Sequence, residues 1–402
     1  MKKYDVILVG AGIVGLATAY KLMKEKPETK LCIIEKEDII AKHQTGNNSG
    51  VIHSGIYYKP GSLKALNCRR GYEMMLKFCD ENEIKYEICG KLISAITEDD
   101  VKRLDELKQR GEENGLTGLK ILSKSEAKES EPYMECIKAL YVPQTGIIDY
   151  KQVSKKMLDF ILSKGVELKL NKKLEKLIDG NKNVTIITNS GEYETKVFVS
   201  CAGLHSDRIV KMLNKKQDVR IIPFRGEYFL LKEEKRYLVK NLIYPVPNPN
   251  FPFLGVHFTR MITGEVEAGP NAVLALKREG YNKSDFNLRD MKDTFTWKGF
   301  YNVIWKYWQT GVYEYYRSIM KYEFVNSLQR LIPEISSKDL EPGGSGVRAQ
   351  ACDRNGNLID DFLFSESANV INVLNAPSPA ATSSLSIGLT ISEKIIQRLE
   401  NN

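Results

Sequence analysis

Gly10-Ala11-Gly12-Ile13-Val14-Gly15 places three glycines in the pattern G-x-G-x-x-G, and Glu35, with Lys36 beside it, follows after the length of one helix and one strand. Each glycine has a mechanical role: Gly10 permits a tight turn, Gly12 lets the backbone approach a pyrophosphate, and Gly15 lets a helix pack closely on a strand. A helix opening at this turn aims free N–H groups, including those around Ala11, Ile13 and Val14, at phosphate oxygens. Glu35 is then placed to accept hydrogen bonds from an adenosine ribose. The chemistry is dinucleotide binding, and the fingerprint alone does not choose between FAD and NAD.

The elements around it support that reading. Residues 5–9 read as a short apolar strand, 13–24 as an amphipathic helix and 31–35 as a second strand ending in an acid, so the chain opens β-α-β with a parallel sheet. A helix is predicted over 63–82, with Leu66, Tyr72, Met75, Leu76 and Cys79 as core candidates, and charged helical patterns recur over 98–114 and 150–164. Strands at 184–188 and 196–201 flank Asn189-Ser190-Gly191 as a hairpin, the second running into Ala202-Gly203. Residues 221–258 turn strand-like and proline-rich, and Pro245, Pro247, Pro249 and Pro252 suggest edge or loop structure in a second domain. A glycine-rich return at 342–346, a strand at 369–374 and a closing helix over 383–399 complete the chain. The polar segment containing Asn48-Ser49-Gly50-Val51, the strand end at Ala202-Gly203 and the late glycine-rich return suit a long, extended FAD contacted by distant segments. No second G-x-G-x-x-G follows a strand, and FAD is favoured over NAD.

Composition bounds the rest. With 402 residues, a net charge of +8, 27% charged and 42% hydrophobic residues, the chain is globular rather than disordered, collagenous or membrane-spanning. The basic residues are scattered among nearly as many acidic ones, so nucleic acid is a poor partner. Seven cysteines without a C-x-x-C pair fit a reduced, cytoplasmic chain with no structural metal. The apolar stretch 6–20, ending near Ala17-x-Ala19, imitates a signal peptide. Its glycines belong to the fingerprint, and the expectation is a soluble protein, at most attached to a membrane surface.

Longer motifs carry a family resemblance. The segment from Gly46-Asn47-Asn48-Ser49-Gly50-Val51-Ile52-His53-Ser54-Gly55-Ile56-Tyr57-Tyr58 through Ala65 resembles the L-2-hydroxyglutarate dehydrogenase/oxidase family. So do Phe251-Pro252-Phe253-Leu254-Gly255-Val256-His257-Phe258-Thr259, Gly269-Pro270-Asn271-Ala272 with Lys277-Arg278-Glu279-Gly280-Tyr281, Gly344-Ser345-Gly346-Val347-Arg348-Ala349-Gln350, and Asn375-Ala376-Pro377-Ser378-Pro379-Ala380-Ala381-Thr382. The resemblance spans essentially the whole chain. It implies an α/β fold in which a Rossmann-type FAD-binding domain (1–82, 145–215 and 340–402) interleaves with an antiparallel-sheet substrate domain (83–144 and 216–339). It also implies oxidation of L-2-hydroxyglutarate to 2-oxoglutarate. The segment Val266-Glu267-Ala268 departs from it by being less apolar than expected. Same-fold enzymes acting on another 2-hydroxy acid, glycerol 3-phosphate or an amino acid are the near rivals; a non-catalytic flavin-binding or membrane-associated protein is the distant one.

Oxidising a 2-hydroxy acid on a flavin needs a base for the hydroxyl proton and an acceptor for the α-hydrogen. Of four histidines, His257 is the first candidate base, lying in a strand-like segment of the substrate domain; His53, after the Gly/Asn/Ser segment, is the second. His43 and His205 read as loop or surface residues. The substrate carboxylate favours arginine's planar fork: Arg348, in a glycine-flanked loop with Gly346, and Arg225, at the start of a substrate-domain strand, are the candidates. Lys277 and Arg278 would serve the distal carboxylate. Pro379-Ala380-Ala381-Thr382 leads into the closing helix, with Thr382 or Ser383 as cap and its small residues letting backbone N–H groups reach the flavin pyrimidine.

Trp297, Trp305 and Trp308 fall in one segment where Phe300, Ile304, Trp308, Val312, Tyr315 and Ile319 draw an apolar helical stripe, rimmed by Lys298, Lys306, Arg317 and Lys321. The favoured expectation is a helix packed on the substrate sheet or on a second subunit. The other is a helix on a membrane surface, suited to electron delivery to a quinone. Oxygen and quinone both remain open as the electron acceptor.

Overall fold

A computed structural model describes all residues except 214, 217, 249–253 and 402. The readings made for Pro249 and Pro252, and residues 251–253 of the quoted motif, lie outside the described residues.

The chain opens as strand Lys2–Val9, helix Ile13–Glu25 and strand Leu31–Ile34. Lys2–Val9 lies between Leu31–Ile34 and Gly191–Ser200, parallel to both. Glu167–Lys169 and Val370–Asn375 extend this parallel core on either side. Such strands are covered on both faces, which is why Leu31-Cys32-Ile33-Ile34 and Val370-Ile371-Asn372-Val373-Leu374-Asn375 are buried throughout. Leu16 and Met23 of the first helix, Val153 and Met157 of helix Tyr150–Ser163, and Ile387 and Ile391 of helix Ser384–Asn401 pack with Val6, Leu8, Ile33 and Val199 in one core. The closing helix presses on the first so tightly that a Cβ on Gly388 would stand 2.6 Å from the Ala17 backbone.

The second sheet has nine strands. Val219–Leu231 is its long member and pairs along its length with Leu340–Asp353. The ladder then passes through Val266–Gly269, His257–Arg260, Leu242–Pro245, Lys91–Ala95, Lys138–Val142 and Lys120–Ser123. It is antiparallel except where Leu242–Pro245 runs parallel to Lys91–Ala95. A small sheet of Val51–Ile52, Gly146–Ile148 and Tyr86–Glu87 completes the fold.

Several sequence expectations change here. Residues 340–353 join the nine-stranded sheet, not the parallel one, so that sheet extends past the boundary expected at 340. The glycine-rich stretch at 342–346 is strand rather than loop. Its glycines serve close packing: a Cβ on Gly343 would meet the Tyr228 carbonyl at 2.8 Å, and one on Gly346 the Asn47 carbonyl at 2.8 Å. Pro245 ends an interior strand, where it interrupts little of the ladder. In helix Leu63–Glu81, Leu66 points outward, 58% exposed, and Leu76 is only half-buried.

The aromatic helix, Lys298–Ile319, departs most. Phe300 and Val303 pack with Trp297 against Ile222 and Cys352. Beyond a kink at Tyr307 the helix stays on the substrate domain through a polar face, where Glu314 and Arg317 are buried, Glu314 accepts the Ala272 N–H at 2.8 Å and Ser318 donates to Glu227 at 2.6 Å. Ile304, Trp308, Val312, Tyr315 and Ile319 are exposed, and Trp305 is 83% exposed. The stripe expected to face the sheet faces outward beyond its first turn.

One ion pair locks the joint between the two sheets. Arg278 and Asp207, each 1% exposed, are held together by a bidentate contact, and Arg278 also donates to the Leu204 carbonyl at 2.6 Å. Removing Asp207 leaves the buried Arg278 opposed, among the described residues, only by the Asp293 carboxylate at 3.8 Å. Asp207→Ala is expected to destabilise the fold by about 3–5 kcal/mol, read from the denaturation midpoint; a change under about 1 kcal/mol would show that the pair is solvated.

Candidate functional site

The turn after Lys2–Val9 forms as the glycine spacing requires. Gly10 has φ +104°, and a Cβ there would lie 2.5 Å from the Cys201 carbonyl. Gly15 sits so close beneath the turn that its Cβ would fall 2.0 Å from the Gly10 oxygen. Helix Ile13–Glu25 begins at Gly12 with no side-chain cap; the Ile13 N–H donates to Thr45 Oγ1 at 3.0 Å. The Ala11 and Ile13 N–H groups are engaged within the protein, and an anion at this helix start is left to the N–H groups beside them. Glu35 accepts the N–H of Ala11 at 2.8 Å and of Glu37 at 3.0 Å, which holds the turn and the second strand in one frame.

This turn is one end of a cavity of about 1390 Å³ that reaches across to the nine-stranded sheet. Its walls gather most of the sequence candidates: Gly10, Gly12, Ile13, Val14, Glu35 and Lys36 at one end, Asn48, Ser49, Val51, Ala202 and Gly203 along it, and Gly346, Pro379, Ala380, Ala381 and Thr382 beyond. His53, His257, Arg225 and Arg348 line it as well. Ala11, Gly15 and Gly50 do not. Ala11 is buried in the turn, Gly15 is the packing contact just described, and Gly50, at φ +67°, is closed against the Ile148 carbonyl, 2.4 Å from its would-be Cβ. The cavity exceeds the usual volume for a small substrate. Its size and the glycine turn at the start of helix Ile13–Glu25 fit an extended dinucleotide such as FAD.

At the turn end, Lys36 pairs with Glu37 and with Glu279, the latter at 2.8 Å. His43 reaches Glu37 at 3.0 Å and Glu279 at 3.2 Å, and His205 reaches Glu279 at 3.1 Å. The loop histidines thus lie against the Lys36–Glu37–Glu279 ion pairs. Glu37, His43 and Glu279 approach closely enough to chelate a cation, but the Lys36 ammonium shares both carboxylates.

The opposite end holds both candidate bases. His257 heads strand His257–Arg260, and its ring stacks on Tyr244 with centroids 4.0 Å apart. Its Nδ1 lies 2.9 Å from the Gly255 carbonyl. A carbonyl only accepts, so Nδ1 carries the proton and Nε2 keeps its lone pair. Burial, aided by the charges of Lys91 and Arg348, depresses the His257 pKa to about 4. His53 is depressed to about 3 by burial, then by Lys91 and His257. Both rings are neutral at physiological pH. The backbone of His53 is fixed by its N–H donating to Thr382 Oγ1 at 3.1 Å and by its carbonyl accepting from the Cys68 thiol at 3.3 Å. Thr382 also meets the Tyr150 hydroxyl at 2.9 Å, so its side chain ties the start of the closing helix to His53 instead of capping that helix.

The expected cations separate into two groups. Arg348 lies on strand Leu340–Asp353, paired with Phe224; its side chain is exposed into the cavity although protein surrounds it and lowers its pKa by desolvation. Arg225, in mid-strand, gives Nε and Nη2 to Glu227 at 3.1 and 2.9 Å and Nη1 to the Asn282 carbonyl at 2.9 Å, so its fork is already engaged. Arg278 is committed to Asp207, and neither it nor Lys277 lines the cavity.

Sequence reasoning missed Lys64, Tyr57, Tyr58, Tyr228 and Tyr244, all on the cavity wall, and Lys91 behind it. Lys64 pairs with Asp360 at 2.6 Å. The signal for Lys91 was faint: a lysine at the head of Leu92-Ile93-Ser94-Ala95, where a strand end in solvent reads equally well.

An N-terminal Rossmann turn, a long cavity and an antiparallel sheet closing its far end define a flavin-linked oxidoreductase, and residues 5–394 match the family described as DAO, FAD dependent oxidoreductase. Within it the chain belongs to the L-2-hydroxyglutarate dehydrogenase family. It is 53% identical to the L-2-hydroxyglutarate dehydrogenase of Indibacter alkaliphilus, over 98% of this chain and 99% of that one. It is 44% identical to the mitochondrial L-2-hydroxyglutarate dehydrogenase of Homo sapiens, over 99% of this chain and 89% of that one. Among solved structures, the FAD-bound L-alpha-glycerophosphate oxidase of Mycoplasma pneumoniae superposes with a TM-score of 0.80 at 20% identity, covering 100% of this chain and 95% of that one. At that identity the likeness concerns the fold alone.

Proposed function

We propose that this protein oxidises L-2-hydroxyglutarate to 2-oxoglutarate with FAD as its cofactor. The observation that carries the reading is the pairing, in one cavity wall, of a neutral imidazole of fixed tautomer with the Arg348 guanidinium, in a chain so similar to enzymes of that name. The walls around Gly10, Gly12, Glu35, Ala202, Gly346 and Ala381 would hold the cofactor, which when bound supplies the two-electron acceptor.

The chain's own residues do the remainder. Arg348 binds the carboxylate next to the reacting carbon through its planar fork. His257 Nε2 takes the hydroxyl proton while Nδ1–H keeps the ring aimed through Gly255. A pKa of about 4 makes His257 unprotonated and ready, though a weak base. An anionic substrate arriving beside it favours the imidazolium and raises that value toward the working range. His53 supports the same end of the site and is the second candidate for the proton. Seven free cysteines support placing the chain in a reducing compartment such as the cytoplasm.

His257→Ala is expected to retain FAD and to slow flavin reduction by substrate about 10²-fold or more, followed by anaerobic stopped-flow absorbance. Unchanged reduction in that variant, with loss in His53→Ala, would transfer the base to His53.

The aromatic helix packs on the substrate domain through Phe300, Val303 and Glu314, and its outward aromatic stripe supports docking of the opposite face on a membrane surface. No helix among the described residues is long and apolar enough to cross a bilayer. Beyond Tyr307, Trp308, Val312, Tyr315 and Ile319 face outward, with Trp305 just before the kink and exposed Lys298 and Lys306 on the same helix. Aromatic rings at the headgroup level and lysines toward anionic lipid are the pattern of an interfacial helix, and a quinone would then be the electron acceptor. Flotation with anionic liposomes is expected to carry the protein up, and Trp305→Ser with Trp308→Ser to release it without slowing substrate-driven flavin reduction. A protein that ignores liposomes and sediments as a dimer through this helix would overturn the lipid reading.

A further inference from the structure

Several buried cations among the described residues come with a carboxylate, and Lys91 does not. Arg278 is bound to Asp207, Arg317 to Glu314, Arg225 to Glu227 and Lys64 to Asp360. Lys91 heads a strand buried at all five positions and is itself 1% exposed. Among the described residues it has no carboxylate partner. Its ammonium lies 4.4 Å from the ring centre of Tyr57 and 4.9 Å from that of Tyr244, and aromatic faces compensate a buried charge only in part. The resulting cost is visible in the group itself, since burial lowers the Lys91 pKa to about 7.

The place of this charge is specific. Tyr57 and Tyr244 are wall residues of the cavity, and the strand of Lys91 is paired with the strand of Tyr244, Ile93 standing opposite that tyrosine. Tyr244 stacks on His257, and both histidines feel the field of Lys91 as they feel that of Arg348. The Tyr57 hydroxyl is buried and has no hydrogen-bond partner among the described residues. An ammonium without a carboxylate and a hydroxyl without a hydrogen-bond partner therefore lie on neighbouring side chains behind the end of the site where the base sits, and an anion at the Tyr57 hydroxyl would accept its hydrogen bond and oppose the Lys91 charge.

We propose that Lys91 and Tyr57 form the subsite for the second carboxylate of the substrate, Tyr57 donating its hydroxyl and Lys91 supplying the counter-charge through the tyrosine wall, so that the pair selects 2-hydroxy dicarboxylates over 2-hydroxy monocarboxylates. Arg348 then serves the carboxylate beside the reacting carbon. The inference rests on the reading of this cavity as a 2-hydroxy acid site and deepens it. The cations first expected there cannot compete: Arg225 and Arg278 spend their forks on Glu227 and Asp207. An unopposed buried charge is costly in the free protein and becomes favourable only when its partner arrives, which is how a pocket refuses a ligand lacking the second carboxylate. Lys91 acts through Tyr57 and is a positioning residue, not a catalytic one.

The test is a substrate-preference ratio on holoenzyme, comparing kcat/KM for L-2-hydroxyglutarate with that for L-2-hydroxybutyrate, which has the same reacting end and no second carboxylate. In Lys91→Met the ratio is expected to fall about 10²-fold, with the loss in KM for the dicarboxylate, and Lys91→Arg to recover part of it. Glutarate, which cannot react, is expected to raise the melting temperature of the parent protein well above the effect of butyrate, and to lose that advantage in Lys91→Met. Should Lys91→Met not fold, Tyr57→Phe carries the same ratio test, and glutarate against butyrate on the parent stands by itself. An unchanged ratio, or equal stabilisation by glutarate and butyrate, overturns the subsite. A parent protein whose flavin no 2-hydroxy acid reduces would instead overturn the activity on which the subsite rests, so the two failures are distinguishable.

Discussion

Positive charge held away from water governs the inner end of this cavity. Arg348 and Lys91 both act on two imidazoles, Lys91 without a carboxylate partner among the described residues, and desolvation pushes all four groups toward their neutral forms. Such an arrangement is unstable by itself and stable with an anion in it. It keeps His257 unprotonated, and in the proposed reaction a dianionic substrate would reverse the balance at the moment a base is needed. The nine-stranded sheet makes this possible. Arg348, His257 and Lys91 come from strands separated in sequence but joined in one ladder, and rigid strands hold such groups more firmly than loops do.

The outer end obeys a different constraint, the close approach of backbone to backbone. Gly10 against Cys201, Gly15 against Gly10, Gly71 against Ser383 and Gly388 against Ala17 each leave no room for a Cβ. These contacts draw the first strand, the middle hairpin and the closing helix around one crevice, although they come from opposite ends of the chain. The Lys36–Glu37–His43–Glu279 network then fastens the crevice to the loop after the nine-stranded sheet's Val273–Leu274 strand.

What the sequence shows and hides follows from these two constraints. The turn from Gly10 to Gly15 is legible because only glycine fits at its two ends, and Glu35 because its distance from the turn is set by one helix and one strand. Arg348 and His257 are legible as residue types suited to the chemistry. The strand setting of Arg348 was not, since glycines that admit a neighbouring strand look the same as glycines of a loop. Arg278 looked available because its partner, Asp207, is 71 residues away, and sequence does not reveal that a charge is already matched. Lys91 was hidden for the opposite reason: having no partner is a property of the folded surroundings. The aromatic stripe from Phe300 to Ile319 has the same period whether it meets a sheet or the outside; Ile304 and Trp305 are already exposed before the kink at Tyr307, and past it the buried face carries Glu314 and Arg317 instead.

The central claim is that this cavity takes the electrons of an L-configured 2-hydroxy dicarboxylate, and an anaerobic visible spectrum of the purified yellow protein tests it most directly. Addition of L-2-hydroxyglutarate is expected to bleach the flavin band within the mixing time of a cuvette, while its D enantiomer leaves the band intact. A flavin spectrum that neither enantiomer changes, in protein shown to be folded and cofactor-loaded, would contradict the account.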